Sequence, residues 1–387
     1  MTKYRLRAIL FVFTAFMLGC NEYMIVGVLP DIAQEFHVSL TTLGYLVTIF
    51  ALVYAITTPL VTTLANRWPR HQVLLVLMVI FLVANTWSAL ATNYVSLLWS
   101  RVLTASVAGA IISLVLVLAN FIAPLSKRAS LLSWVFAGFS LASVIGLPIG
   151  TMISTTLSWH DSFWAVTVIG IIVFALLVGL VPRNSPQTRG KFTTQFTLFK
   201  NKVIYSGVFF IICAMAADYT FYTYIRPIIT QIMGLSNGLL NFILFVLGIC
   251  FICGSKLGGT IADHGGMKTI TWIFAGLTLL LLSLGSIWSL PWLACLVMGT
   301  ICVCLATYGA TIQVMFLDVA EKEFPQSIDL ASSLNSIFSN IGISLGSLTA
   351  AEVAGFAGIS RVGYFAAIYA ALAVLLTLVI RKAAVRK

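Results

Sequence analysis

Charged residues are scarce in this chain of 387 residues. They make up 9% of it, whereas a soluble globular domain carries about 25%. Hydrophobic residues make up 60%, and they gather in long runs that leave only short loops between them. The shortage of charge and of loop length excludes a soluble catalytic domain. It predicts a chain that crosses a membrane many times.

Cysteine pairs are missing from the loops, and histidine is missing from the apolar runs. All seven cysteines fall inside those runs, so no disulfide framework is expected. Cys250 and Cys253 form a C-x-x-C pair in an apolar stretch without histidine, where packing is a better explanation than metal binding. A G-x-x-x-x-G-K-[ST] phosphate loop is also missing. We therefore expect no cofactor and no drive by ATP.

Twelve apolar runs are long enough to be membrane spans. A hydrocarbon core of about 30 Å needs about 20 apolar residues in a helix. The fold class predicted is an all-α polytopic membrane protein with twelve transmembrane helices. The runs lie at residues 6–29, 40–64, 73–92, 95–120, 130–153, 162–181, 203–226, 239–261, 269–288, 292–316, 329–352 and 362–380.

The net charge of +11 could indicate nucleic-acid binding, but the placement of Lys and Arg argues against it. With the N-terminus in the cytoplasm, 18 of the 22 basic residues lie on the cytoplasmic side. Arg226 and Arg361 lie outside, and Arg101 and Lys256 lie within spans. This asymmetry follows the positive-inside rule and places both termini in the cytoplasm. The basic excess is therefore topological, and the protein is expected to associate with the lipid bilayer and not with nucleic acid.

The two halves of the chain resemble each other at an offset of 196–197 residues. Glu22-Tyr23 corresponds to Asp218-Tyr219, and Pro30 corresponds to Pro227. Residues 64–71 correspond in the same way to residues 261–268. The sequence therefore predicts a six-helix bundle over 1–182, a cytoplasmic linker over 183–202 and a second six-helix bundle over 203–387. Such repeats occur in transporters whose substrate site lies near the midplane between the halves.

The loops after the second and eighth spans carry the first family likeness. Residues 259–268 read G-T-I-A-D-H-G-G-M-K and resemble the G-x-L-A-D-R-x-G-R-K loop of the major facilitator superfamily. In that family Asp263 and Lys268 would belong to a cytoplasmic gate, with Arg67 and Arg70 as the basic residues of the first-half copy. That copy departs from the pattern, because Asn66 replaces the Asp.

Two spans of the first half strengthen the resemblance. Arg101 lies in a stretch similar to the family's intramembrane-arginine motif. Residues 138–150 resemble the family's antiporter motif in a variant form, G-L-P-x-G, and imply gating roles for Gly146, Pro148 and Gly150. Glycine at these positions also suits close helix packing, and proline kinks a helix, whatever the direction of transport.

Residues 22–33, 219–227 and 334–346 resemble the twelve-span drug:proton antiporter group, near bacterial sugar-efflux and purine-efflux permeases. The resemblance implies a monomeric exporter in the bacterial inner membrane, driven by the proton gradient, with a small molecule and protons as partners. Drug resistance is one function within this group.

Glu22, Arg101 and Asp218 lie deep inside apolar spans, where a charge costs roughly 2.5–3.5 kcal/mol and indicates a functional site. At 1.5 Å per residue, Glu22 and Arg101 lie at about the same depth, roughly 8–9 Å below the outer edge of the core. Asp218 has a matching depth in the repeat. We expect a contact between Glu22 and Arg101, direct or through water, with Asp218 opposite them in the other half.

Burial and a nearby cation change the proton affinity of a carboxylate in opposite directions. The hypothesis is that Glu22 carries the proton, with Asp218 next, and that Arg101 stabilises the deprotonated form. The alternative for all three is a structural charge network without a role in coupling. Arg226 is expected to be solvated or to snorkel at the outer rim; the alternative is a pair with Asp218, which would require a kink in the helix.

Polar side chains within the spans are candidates for cargo binding, and they suit a neutral, ring-bearing molecule such as a nucleobase, nucleoside or sugar. The alternative for each is a hydrogen bond between helices, which is worth about 0.6 kcal/mol on average in membranes. The candidates are Asn21, Tyr219, Tyr222, Asn335 and Asn340.

Other functions fit the sequence less well. A proton-coupled importer is the nearest alternative to an exporter. A membrane-embedded enzyme needs a nucleophile with its base or a set of metal ligands, and the spans hold no histidine for either. A channel needs a ring of charges or a filter rather than a repeat with gate-like loops.

Overall fold

A computed structural model describes residues 3–65, 68–124, 127–183, 196–264, 266–324 and 327–385. Within these ranges the chain is helical and contains no β-strand. Twelve helical segments are long and apolar enough to cross a membrane. The predicted fold class and the number of spans are confirmed.

The described α-helices are fifteen in number, because three of the spans are interrupted. They are α1 (Lys3–Phe36), α2 (Leu40–Ala65), α3 (Arg70–Ala89), α4 (Tyr94–Ile122), α5 (Arg128–Leu141), α6 (Leu147–Thr156), α7 (Trp159–Leu180), α8 (Lys202–Tyr222), α9 (Ile225–Pro227), α10 (Asn237–His264), α11 (Gly266–Ile287), α12 (Pro291–Ala306), α13 (Tyr308–Glu323), α14 (Ile328–Phe356) and α15 (Val362–Val385).

Polar side chains start several of these helices by accepting an otherwise unpaired backbone N–H. Asn93 accepts from the N–H of Ser96 at 2.9 Å and starts α4. Ser158 starts α7, and Asn201 accepts from the N–H of Val203 at 2.8 Å before α8. Since α7 begins three residues before the predicted span, it includes His160.

Breaks in the helical backbone interrupt three of the spans, and the pattern of apolar residues does not show where these breaks lie. A π-helical turn, Ala142–Gly146, separates α5 from α6 just before Pro148, and proline removes a backbone donor at such places. The tenth span is divided at Thr307 into α12 and α13. The seventh span ends at Tyr222, four residues before its predicted end.

The early end of α8 changes the position of Arg226. The short helix α9, Ile225–Pro227, follows a turn and is buried, and Arg226 is only 6% exposed. The expectation that Arg226 is solvated at the outer rim is therefore wrong. A straight helix would have carried it outward, whereas the break after Tyr222 keeps it inside the protein.

Contacts divide the chain into two compact units. The first consists of residues 1–39 and 52–190. Within it, α1 packs against α4, α5, α6 and α7, and α3 packs against α4 and α7. The helix that carries Glu22 is thus the central helix of this unit.

The second unit consists of residues 40–51 and 191–387. In it, α8 packs against α14 and α15, and α11 packs against α12 and α15. These pairs correspond, through the sequence repeat, to the pairs of α1 with α5 and α7 and of α3 with α4 and α7. Both units therefore use one packing pattern. The predicted linker over 183–202 lies mostly outside the described residues, and the predicted domain boundaries stay a prediction.

The first part of α2 belongs to the second unit, which the repeat does not predict. The Tyr45 hydroxyl donates to Glu352 Oε1 at 2.6 Å, and the Thr48 and Ser347 hydroxyls lie 3.0 Å apart. The Tyr224 hydroxyl donates to the carbonyl of Leu40 at 2.8 Å. Hydrogen bonds thus hold residues 40–51 against α14 and the turn after α8.

Large apolar side chains cover much of the outside of the helices. Trp272 is 72% exposed, Leu279 is 69% exposed and Trp134 is 64% exposed. In water such a surface would be unfavourable, but against lipid tails it is the expected one. Polar and charged side chains such as Arg101, Asn85 and Asp218 are buried instead. This distribution is that of a membrane protein with a polar interior.

Candidate functional site

A buried arginine lies at the centre of the first unit. Arg101 in α4 is 1% exposed. Its Nη1 donates to Asn21 Oδ1 at 2.9 Å, and its guanidinium carbon lies 5.8 Å from the ring centre of Phe163. The positive charge is therefore held between an amide oxygen of α1 and an aromatic ring of α7.

The amide of Asn21 continues this contact into α3. Asn21 Nδ2 donates to Asn85 Oδ1 at 2.5 Å. Asn85 Nδ2 donates to the carbonyl of Phe163 at 3.0 Å and to the Thr167 hydroxyl at 2.8 Å. Asn21 is 1% exposed and Asn85 is not exposed at all. The structure thus places Asn21, a candidate cargo ligand, inside a network that joins α1, α3, α4 and α7.

Glu22 follows Asn21 directly in α1 and is half-buried. Its charge and that of Arg101 lie close enough to interact. The two residues that the depth argument paired are therefore neighbours within one unit, with Asn21 as the observed hydrogen-bond partner of Arg101. A carboxylate that is only half-buried and lies beside a fixed cation can bind and release a proton.

A second acidic cluster lies in the second unit. Asp218 in α8 is 9% exposed, and its Oδ1 has no hydrogen-bond partner among the described residues. Tyr308 and Cys302 of the tenth span lie close enough to Asp218 to interact with its charge. The acidic side chain thus faces groups from other helices of its own unit.

The aromatic candidates for cargo binding lie on the same helix as Asp218. Tyr219 is 4% exposed and Tyr222 is 3% exposed. Their ring centres lie 6.4 Å apart, and Tyr222 also meets Phe251 at 5.8 Å in an edge-to-face arrangement. Both rings are therefore packed in the interior of the second unit rather than facing outward.

The two asparagines of α14 differ in burial. Asn340 is 5% exposed, and its Nδ2 donates to the carbonyl of Ser336 at 3.1 Å. Asn335 is half-buried and accepts a bond from the Ser339 hydroxyl at 3.3 Å. Of these two, Asn335 is the one with open surface for a ligand.

The gate candidates lie at helix ends or in the interrupted fifth span. Asp263 and Lys268 are exposed at the end of α10 and the start of α11, and no ion pair joins these two described residues. Arg70 is half-buried at the start of α3, whereas Arg67 lies outside the described residues.

Gly146, Pro148 and Gly150 are buried against α1. A Cβ on Gly146 would lie 2.6 Å from Cys20 Sγ, and one on Gly150 would lie 2.7 Å from Met24 Sδ. Pro148 is one residue inside α6. Glycine is favoured at both positions by their close approach to side chains of α1. This fits the packing explanation of the motif and is compatible with a gating role.

The part of the chain that the structure describes holds no group of three or more His, Cys, Asp or Glu side chains arranged to bind a metal ion. Among the described residues, the polar interior consists mainly of amides and hydroxyls, together with the buried charged residues Arg101, Arg226 and Asp218. Such a composition suits hydrogen bonding and proton binding.

Comparison with known proteins identifies the family. A family model described as Major Facilitator Superfamily matches residues 11–347. This chain belongs to the Major Facilitator Superfamily. The MFS-type transporter YtbD of Bacillus subtilis (strain 168) is 30% identical over 371 residues, which are 94% of this chain and 92% of YtbD. The MFS-type transporter YfhI of the same organism is 32% identical over 262 residues, 68% of this chain and 66% of YfhI.

Two solved transporter structures share the fold. A crystal structure of a D-xylose–proton symporter matches with a TM-score of 0.81 and 17% identity, and 96% of each chain is covered. A bacterial homologue of the human lysosomal transporter Spinster, in an inward-facing and unoccupied conformation, matches with a TM-score of 0.74 and 16% identity over 98% of each chain. At this identity the likeness concerns the fold.

As a superfamily member, the protein is an integral multi-pass membrane transporter. Its family and relatives are transporters. Sequence reasoning identified Glu22, Arg101 and Asp218 but missed Asn85, Thr167 and Tyr308. Asn85 had one usable signal, since it is a strongly polar amide inside the apolar third span. Tyr308 had none, because a tyrosine in an apolar run is as easily a packing residue.

Proposed function

We propose that this transporter is a proton-coupled exporter of a small polar molecule. The observation that carries the proposal is the buried network of the first unit, in which Asn21 holds Arg101 next to the half-buried Glu22. A cation kept in a membrane interior at the cost of several kcal/mol indicates a functional charge pair. Glu22 would bind the proton, and Arg101 would stabilise the site when the proton leaves.

Asp218 is the second proton-binding candidate. It is buried, has an unpaired oxygen, and belongs to the repeat position that corresponds to Glu22. Both terminal segments would be cytoplasmic, and the membrane would be the bacterial inner membrane. The protein would work as a monomer, without a cofactor, by exposing one site alternately to the two sides.

The cargo class follows from the polar side chains. Hydroxyls and amides predominate, with few charges, and Tyr222 and Asn335 supply a ring and an open amide. Asn335, which is half-buried, is the candidate with surface for a ligand, whereas Tyr222 is packed in the interior and would have to be uncovered during transport. These groups suit a neutral ring-bearing cargo such as a purine, nucleoside or sugar. Lipophilic drugs would need a more apolar lining, so drug efflux is the secondary expectation.

Everted membrane vesicles from cells that produce the full chain test this proposal. The interior is made acidic, and uptake of labelled adenine, adenosine, arabinose and tetraphenylphosphonium is compared with vesicles that lack the protein. An exporter driven by proton exchange accumulates one of the polar cargoes inside, and a protonophore abolishes the accumulation.

An importer that moves protons and cargo together would expel cargo from the same vesicles and accumulate it in right-side-out vesicles with an acidic exterior. Accumulation of tetraphenylphosphonium alone would contradict the polar-cargo assignment. Accumulation that survives the protonophore would contradict proton coupling.

A further inference from the structure

The network of the first unit has a fixed direction from one end to the other. It starts at Arg101, which can only donate, and it ends at the backbone carbonyl of Phe163, which can only accept. Between them, Asn21 accepts from Arg101 and donates to Asn85, and Asn85 accepts from Asn21 and donates to Phe163 and Thr167. The orientation of both amides is therefore determined by the groups at the two ends.

Asn85 fastens this network to the rest of the unit. It lies in α3 and bonds to α1 through Asn21 and to α7 through Phe163 and Thr167. Its side chain has no exposed surface, so water cannot replace a lost bond. Without the Asn85 oxygen, the Asn21 amide loses the bond that keeps its own oxygen directed at Arg101.

The charged environment of Glu22 is simple. Arg101 is the one charged residue that α4 contributes inside the span. The fifth span carries no acidic or basic residue after Arg128, which stands at its start. On α1 itself, the neighbouring titratable side chains are Cys20 and Tyr23.

The remaining helix against α1 is α7, and its ionisable side chains are engaged elsewhere. His160 pairs with Glu35 at 3.0 Å, near the far end of α1. Asp161 bonds to Ser158 at 2.8 Å at the start of α7. Among charged side chains, Arg101 is therefore the one whose position bears most directly on the protonation of Glu22.

We propose that Asn85 is a positioning residue for proton coupling: through Asn21 it holds the guanidinium of Arg101 at a fixed place beside Glu22. This inference rests on the proposed role of Glu22 as the proton carrier. Asn85 touches neither the proton nor the cargo in this account. Its effect is to keep the cation where it stabilises the ionised carboxylate.

The test uses the purified full-length protein in liposomes and needs no cargo. Protonation of Glu22 is followed by the infrared band of protonated carboxyl groups during a pH titration, and the Glu22 component is the part that is lost in Glu22→Gln. In Asn85→Leu the cation is less well held, so the midpoint of that component moves to higher pH by about 1 unit. In Asn85→Gln, which keeps the acceptor and both donors, the midpoint returns toward that of the wild type.

A matched control and a milder variant keep the test decisive. Ser106→Ala removes a hydroxyl that donates to the carbonyl of Leu103 at 2.7 Å within α4, the helix that carries Arg101, and it leaves the midpoint unchanged. If Asn85→Leu does not fold, Thr167→Val removes one of the two acceptors of Asn85 and gives a smaller shift in the same direction.

Two results overturn the inference. One is an unchanged midpoint in folded Asn85→Leu, or in Thr167→Val if Asn85→Leu does not fold. A fall in thermal stability without a shift of the midpoint would show that the residue has a structural role alone. The other is the absence of any titrating Glu22 component. Failure of the proposed function gives a different result. In that case wild-type vesicles move cargo independently of the proton gradient, while Asn85→Leu still shifts the midpoint of the Glu22 titration.

Discussion

At the scale of single residues, two asparagines in apolar helices have different environments. Asn21 uses its oxygen for Arg101 and its amide nitrogen for Asn85, whereas Asn335 is half-buried and bonds to Ser339 in its own helix. Sequence alone placed both among the cargo candidates. The difference in their partners separates an internal support from a side chain that can face a ligand.

Replacing Asn21 with Ala should destabilise the protein by about 2–4 kcal/mol. The change removes a hydrogen bond to a charged group and leaves both Arg101 and Asn85 without that partner in a buried place. Thermal unfolding of the purified protein in detergent measures the effect. Asn335→Ala is the control, and it should lower the free energy of unfolding by less than about 1 kcal/mol. Its main effect should be a higher Michaelis constant for cargo. Equal losses of stability in the two variants would contradict this assignment.

The residues of the site could be predicted from the sequence only where placing them in a membrane span is energetically unfavourable. Glu22, Arg101 and Asp218 are charges in apolar spans, and such charges are visible in the sequence because lipid penalises them. Asn85 and Thr167 could not be paired with Asn21 from the sequence, since a hydrogen bond between helices depends on their rotation and depth. The buried position of Arg226 depended on a helix break that apolar periodicity does not encode.

At the scale of helices, each unit packs a glycine closely against the helix that carries its acidic residue, α1 in the first unit and α8 in the second. Gly138 in α5 lies where a Cβ would be 2.5 Å from the carbonyl oxygen of Val12 in α1. Gly342 in α14 lies where a Cβ would be 2.6 Å from the carbonyl oxygen of Ile212 in α8. The helix that carries each acid is therefore packed closely along a neighbour with small residues, as in many membrane helix pairs.

A methyl group at Gly138 should separate α1 from α5. Because the nearest atom is a backbone oxygen, the helices themselves must shift, and we expect Gly138→Ala to cost about 1–3 kcal/mol. Gly179→Ala is the matched control, since nothing lies within 4 Å of its Cβ position, and it should be neutral or stabilise by up to about 1 kcal/mol. Thermal unfolding of the two variants measures the difference. A Gly138→Ala variant as stable as the wild type would show that the contact between α1 and α5 is not tight.

The twelve spans were predictable because lipid requires about 20 apolar residues per crossing, whereas the division into two halves that the repeat predicts stays a prediction. The interruptions of the seventh and tenth spans were not predictable. Thr307 and the turn after Tyr222 lie inside the predicted spans 292–316 and 203–226, which average hydropathy treats as continuous, so it does not mark these positions. Pro148 did mark the fifth span, and the π-helical turn lies directly before it.

At the scale of the whole molecule, transport requires that the helices rearrange, and residues 40–51 of α2 are a place to test this. They are bonded to α14 through Thr48 and Ser347, while the rest of α2 belongs to the first unit. A carrier that alternates between two states should need to release such a contact in one of them.

A disulfide at this contact should stop transport. The two hydroxyl oxygens are 3.0 Å apart, so cysteines in Thr48→Cys/Ser347→Cys lie within reach of a bond. We expect oxidation to abolish cargo exchange across vesicle membranes and a reducing agent to restore it. The single variants Thr48→Cys and Ser347→Cys control for the substitutions. Undiminished exchange by the oxidised double variant would mean that α2 and α14 stay together throughout the cycle.

The central claim is that Glu22 carries the proton that drives transport. The most direct measurement compares Glu22→Gln with Glu35→Gln, an acid on the same helix that pairs with His160, in everted vesicles with an acidic interior. We predict that Glu22→Gln loses accumulation driven by the pH gradient but keeps exchange of labelled for unlabelled cargo, while Glu35→Gln keeps both. Full gradient-driven accumulation by Glu22→Gln would contradict the account.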